Sequence, residues 1–123
     1  MIRLRRLIQS FTYARRGFAK IFWEEQNLRI QTVAGTVMIA SALLCGINRP
    51  EWCLLILTIG LVILTEIANS AVERITDVLK PRLNDYVKEI KDIAAAAVML
   101  SSLVSVIIGL IIFWPYLAAL WPK

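Results

Sequence analysis

The chain has 123 residues, enough for one domain, and 59% of them are hydrophobic. A mean hydropathy of +0.68 is too high for an ordinary soluble domain of this size. Lys and Arg number 14 against 9 Asp and Glu, a net charge of +5, but they sit between apolar runs instead of on one soluble face. That argues against a nucleic-acid partner and for a membrane surface.

No histidine occurs. Imidazole is therefore excluded as base, metal ligand or triad member, and acid–base chemistry must use carboxylates, lysine or tyrosine. Cys45 and Cys53 lie in or beside apolar runs, form no CxxC pair and read as apolar filler.

Residues 1–29 read as an amphipathic surface helix, with a break expected near Gly17. Leu4, Leu7, Ile8, Phe11, Phe18, Ile21 and Phe22 recur at three- and four-residue spacing, with Arg3, Arg5, Arg6, Arg15, Arg16 and Lys20 around them. This is the pattern of a helix in the headgroup region; packing on the protein's own surface is the alternative. Charges at Arg15, Arg16 and Lys20 interrupt the segment, so it is not a signal peptide. The polar cluster Glu24 to Arg29 then precedes the first long apolar run.

Three spans follow. Residues 30–48 carry no charge over 19 residues, which at the helical rise is about 28 Å, close to the hydrocarbon thickness. Small residues such as Gly35 and Ser41 would permit close helix approach. The turn is expected at Asn48-Arg49-Pro50-Glu51, because the residue before proline avoids the α region. Residues 52–72 form the second span, with Glu66 as its only charge and the helix running on to about Asp77 or Leu79. A charged connector, Lys80 to Asp92, contains Pro81, which should end or bend that helix. The third span is 93–121, within a charge-free run that reaches Pro122, and Pro115 is expected to end its regular helix. Trp114, Tyr116 and Trp121 would form an aromatic belt.

The first 29 residues hold seven of the Lys and Arg residues, and 74–91 hold five. By the positive-inside rule both segments face the cytoplasm. The fold class expected is therefore an all-α membrane protein, one domain over 1–123, with a surface helix and three transmembrane helices.

The chemistry concentrates in Thr65 to Asp77. At 100° per residue Glu66, Asn69, Ser70, Glu73 and Asp77 fall within an arc of roughly 100°. A carboxylate placed in hydrocarbon costs about 3 kcal/mol, so Glu66 and Glu73 mark a site. Asn69 and Ser70 could also serve as interhelical hydrogen-bond glue, and Asp77 and Asp92 as helix-end charges. All face the same side of the membrane as Glu24, Glu25 and Lys91.

Such a cluster, facing a compartment with ATP and Mg²⁺, suits phosphoryl transfer. That reaction needs a metal, a cation on the phosphates and a base for the acceptor hydroxyl. Glu25, Glu73 and Lys91 could meet the first two needs. Glu66, deeper in the apolar phase, is placed to meet a lipid hydroxyl as general base. The five glycines form neither GxxxxGK nor GxGxxG, so a nucleotide site must be built differently from the common folds. On these features alone a small proton-coupled transporter with Glu66 as carrier, or a non-catalytic assembly protein, stays open beside a membrane enzyme.

Three motifs carry a resemblance. Glu66 to Asp77 (EIANSAVERITD) resembles the signature E-x-x-N-S/T-A-I/V-E-x-x-x-D of the small prokaryotic lipid kinases, the diacylglycerol kinase and undecaprenol kinase family. Lys91 to Val98 (KDIAAAAV) resembles its K-D-x-x-A/S-A/G-A-V motif, and Glu25 to Arg29 (EQNLR) its E-x-N-x-R element. The likeness implies a homotrimer in the bacterial inner membrane, multi-pass, with its N-terminus and active site cytoplasmic. It also implies ATP-dependent phosphorylation of a lipid alcohol, with undecaprenol favoured and diacylglycerol the alternative. By the same likeness Glu25 and Glu73 would ligate Mg²⁺, Glu66 would be the catalytic base and Asn69 its support. Lys91, Asp92 and Asp77 would bind ATP, with Arg6, Tyr13 and Gly17 on the surface helix, and Ser70 would help bind substrate. The sequence departs from the undecaprenol branch at Gln31, where histidine is common, and in the connector, where Asp85-Tyr86-Val87 replaces a Tyr-His pair.

Overall fold

The computed structural model describes residues 1–79 and 84–121. Over these residues the chain is helical almost throughout, in the order α1 (Leu4–Glu24), α2 (Gln26–Cys45), α3 (Arg49–Leu79) and α4 (Asn84–Leu120). Three of these, α2, α3 and α4, are long and apolar enough to cross a membrane.

The break in the N-terminal half falls at Glu25 and not near Gly17. α1 runs unbroken through Gly17, and Glu25 alone is extended, at φ −104° and ψ 111°. The cause is the change of pattern on either side. α1 separates an apolar from a cationic face, whereas α2 is apolar nearly all round, and one straight helix cannot serve both environments. Arg29 secures the elbow by donating from Nη1 to the carbonyl of Trp23 at 3.1 Å, one of the orphan acceptors at the end of α1.

The α2–α3 turn also lies earlier than Asn48-Arg49-Pro50-Glu51. Gly46 ends α2 in the left-handed region, at φ 64°, a conformation that costs glycine nothing. Asn48 then opens α3 instead of closing α2. Its Oδ1 accepts from the Glu51 amide at 3.0 Å, and Glu51 Oε1 accepts from the Asn48 amide at 3.3 Å, a reciprocal capping box.

α3 is the axis of the bundle. Gly35 of α2 approaches it so closely that a Cβ there would stand 3.0 Å from Ile59 Cγ2. α4 runs antiparallel beside α3 along most of its length. Tyr116 donates its hydroxyl to Glu51 at 2.9 Å, Thr65 and Ser101 share a hydroxyl contact at 2.8 Å, and Lys91 donates to Asp77 at 2.8 Å. α4 continues through Pro115 to Leu120, so the proline does not end it. Membrane-crossing helices tolerate such a residue where neighbours compensate the lost bond. The packed apolar core (Ala42, Ile47, Leu55, Ile112 and Phe113) sits at the Gly46 turn end, and the acidic stripe lies toward the other. Pro81 and Arg82 of the connector lie outside the described residues.

Candidate active site

The arc of polar residues on α3 faces inward where it is deepest. Glu66 is 6% exposed and Ser70 is 3% exposed, Asn69 and Glu73 are half-buried, and Asp77 is exposed one turn further on. Along the helix axis these positions span about 16 Å, so the stripe leads from the apolar interior to the polar end.

The elbow brings Glu25 against this stripe. Ser70 Oγ donates to Glu25 Oε1 at 3.1 Å, across 45 residues of sequence. Glu25 and Glu73 are both near enough to Glu66 to act on it electrostatically. Three carboxylates from two separate elements therefore meet around one end of the bundle. Asn69 Nδ2 donates to Glu73 Oε1 at 3.4 Å, leaving the buried Asn69 Oδ1 without a hydrogen-bond partner among the described residues. A buried amide oxygen left bare costs about 1–3 kcal/mol and marks a place where a donor or cation belongs.

One turn beyond Glu73, Lys91 of α4 pairs with Asp77. Lys91 is partly buried and Asp77 well exposed, so the pair lies at the mouth of the stripe and contributes little to stability. Asp92 is exposed beside it. Arg6, Tyr13 and Gly17 are exposed on α1, and none of them makes a side-chain hydrogen bond or ion pair among the described residues. The structure thus joins Glu25, Ser70, Glu66, Asn69 and Glu73 in one cluster and Asp77 with Lys91 in its continuation. It does not bring the three α1 positions to them. An apolar recess between α2 and α4, lined by Gln31, Met38, Ser102, Ser105 and Phe113 among others, holds no titratable group and is separate from this chemistry.

The donor set is one of hard oxygens. Glu25 Oε2, Glu73 Oε2 and Asn69 Oδ1 accept no side-chain hydrogen bond among the described residues. No group of three or more acidic side chains is close enough to cage a metal among those residues. A cation here would complete its shell with oxygens from another molecule. That fits Mg²⁺, which prefers one or two carboxylates together with phosphate oxygens and water.

One group escaped the sequence reading. Arg74 reaches Glu25 Oε1 at 3.4 Å and Ser70 Oγ at 2.8 Å, and it pairs with Glu24. It lies about 40° round the helix from Ser70, outside the stripe, where a cation reads as solvated surface. Only the helix-period distance between positions 70 and 74 could have tied it to the site.

Membrane-crossing helices that gather carboxylates from distant parts of the chain at one polar end define an integral membrane protein with a polar site at that end. Comparison with known proteins specifies it. The family model described as prokaryotic diacylglycerol kinase matches residues 12–113. The undecaprenol kinase of Bacillus subtilis is 32% identical over 114 residues, 93% of this chain and 93% of its own. A diacylglycerol kinase of Synechocystis is 34% identical over 115 residues, 93% of this chain and 66% of its own. The diacylglycerol kinase of Escherichia coli K12 is 28% identical over 111 residues, 90% of this chain and 91% of its own. The chain belongs to the prokaryotic diacylglycerol kinase family. It is a lipid kinase integral to a bacterial membrane.

Proposed function

We propose that this kinase, acting as one domain over residues 1–123, transfers the γ-phosphate of ATP to the hydroxyl of undecaprenol. The likeness to the undecaprenol kinase over 93% of both chains supports that acceptor. Diacylglycerol is the second reading, favoured by the 34% identity to the Synechocystis enzyme.

The observation that carries the mechanism is the meeting of Glu25 with the α3 stripe through Ser70. Glu66, the deepest acid, takes the proton of the acceptor hydroxyl as its oxygen attacks the γ-phosphorus. The bond from that phosphorus to the β,γ-bridging oxygen breaks, and ADP leaves. Glu25 and Glu73 would hold Mg²⁺, and Asn69 Oδ1 would offer a further hard oxygen. The metal would supply positive charge there to offset the negative charge that develops on the transferred phosphoryl group. Asn69 also fixes Glu73 through its amide hydrogen, and Ser70 holds Glu25 at the side where the acceptor arrives. Lys91 exchanges Asp77 for phosphate oxygens, and Asp77 and Asp92 border the nucleotide. Arg6, Tyr13 and Gly17 complete its site from α1.

The cytoplasmic side of the inner membrane supplies the ATP, in keeping with seven Lys and Arg residues in the first 29 positions. A homotrimer is the proposed assembly. Extensive apolar surface on α2 and α4, including Val33, Val37, Leu103 and Ile107, supports burial against lipid or further copies.

The test is purified protein in lipid with γ-labelled ATP, offered undecaprenol and diacylglycerol side by side, with and without Mg²⁺. Label in undecaprenyl phosphate that requires Mg²⁺ is the expected result. Label in phosphatidic acid alone would move the assignment to the second reading, and label in neither would refute both.

A further inference from the structure

Arg74 has no part in the roles above, yet it makes four contacts at the point where α1, the elbow and α3 meet. Nη1 donates to Ser70 Oγ at 2.8 Å, to the Ser70 carbonyl at 3.4 Å and to Glu25 Oε1 at 3.4 Å, and Nη2 pairs with Glu24. Glu24 is the last residue of α1, and Glu25 is the single non-helical residue before α2. One side chain from α3 therefore grips both the end of α1 and the elbow residue.

The network has a direction. A serine hydroxyl has a single proton. Since Ser70 Oγ accepts from Arg74, its proton is free to go to Glu25 Oε1, and Arg74 adds a second donor to that same oxygen. Glu25 Oε1 is thereby occupied, and Oε2 is left without a side-chain donor among the described residues. A planar guanidinium with five N–H groups can serve these acceptors together, whereas a lysine ammonium acts as a point charge. Without the arginine, Glu25 would face Glu66 with no cation paired to it, and like charges would push the elbow away.

We propose that Arg74 is a positioning residue for phosphoryl transfer. By holding Glu24 and Ser70 it fixes the Glu25 carboxylate with one oxygen saturated and the other presented for ligation before the nucleotide arrives. The inference rests on Glu25 as a ligand of the divalent cation.

The experiment uses the full chain in phospholipid nanodiscs. Mn²⁺ is the probe, with a non-hydrolysable ATP analogue and no acceptor lipid, and free Mn²⁺ is read by electron paramagnetic resonance. Arg74→Ala is expected to weaken Mn²⁺ binding about fivefold to tenfold, and Arg74→Lys to recover only part of that loss. In turnover, Arg74→Ala should raise KM for the Mg–nucleotide by a similar factor while kcat changes less than about twofold, a split that a general loss of structure would not produce. Should Arg74→Ala fail to assemble, Glu24→Gln removes one end of the grip and leaves every proposed ligand in place, with an expected loss of about threefold. Binding unchanged or tighter in Arg74→Ala, or unchanged in Glu24→Gln where the alanine variant does not assemble, would overturn the role of Arg74 if Glu25→Gln abolishes binding. Binding unchanged in Glu25→Gln would overturn the ligand assignment, and this proposal with it.

Discussion

A carboxylate inside a membrane-crossing helix is costly by about 3 kcal/mol, and Glu66 is held there, 6% exposed. The proposed use as a base would account for the position. Glu66→Gln keeps shape and volume but cannot accept the proton. It is expected to lower kcat about 10²–10⁴-fold while nucleotide binding persists, which labelled-lipid turnover and analogue binding measure separately. The hydroxyl pair of Thr65, which adjoins Glu66, and Ser101 of α4 is the contrasting case. Thr65→Val should cost less than about 1 kcal/mol in thermal stability and leave turnover near wild type, because that bond joins helices and touches no reacting group. The inward residues of α3 were legible because a period of 3.6 projects them onto one arc. The approach of Glu25 was legible only as a shared membrane face and through the E-x-N-x-R resemblance, since periodicity says nothing about which distant segment folds onto a stripe. Arg74 was missed for a further reason. A cation just outside a polar arc looks like solvated surface until its acidic partners, 49 and 50 residues earlier, are placed beside it.

At the scale of the helix, the spans were legible from their missing charges, and their ends were less so. Proline drew attention at positions 50 and 115, yet α3 contains the first within its opening turn and α4 runs through the second. The true stop was Gly46, whose left-handed backbone ends α2, and the true start was the Asn48–Glu51 capping box. Both signals were present in the sequence, and the stronger reputation of proline hid them. Asn48→Ala is therefore expected to destabilise the fold by about 1 kcal/mol, read as a lower melting temperature in detergent. Gly35 is a sharper case. Ile59 is branched at Cβ and cannot easily turn its Cγ2 methyl away from a new side chain. Gly35→Leu should cost about 2 kcal/mol or more by forcing α2 off α3, and the same melting measurement checks it.

Across the whole molecule, α3 links a hydroxyl–carboxylate clasp at the Gly46 turn end, Tyr116 with Glu51, to the acidic cluster at the elbow end. The two ends divide the labour. One is tied by packed apolar residues, and the other carries charge that a nucleotide and a cation can engage. That division requires the elbow, the polar end of α3 and the start of α4 to lie on one side of the bilayer, open to ATP. Side-specific labelling measures this directly. Glu25→Cys, Glu73→Cys and Lys91→Cys are introduced singly into a chain whose Cys45 and Cys53 have been replaced by alanine, and each is exposed to a membrane-impermeant maleimide. All three should react in inverted membrane vesicles and resist reagent added outside intact spheroplasts. Reaction of any one of them from the outer side would contradict the account, because its three functional elements would then not share a compartment.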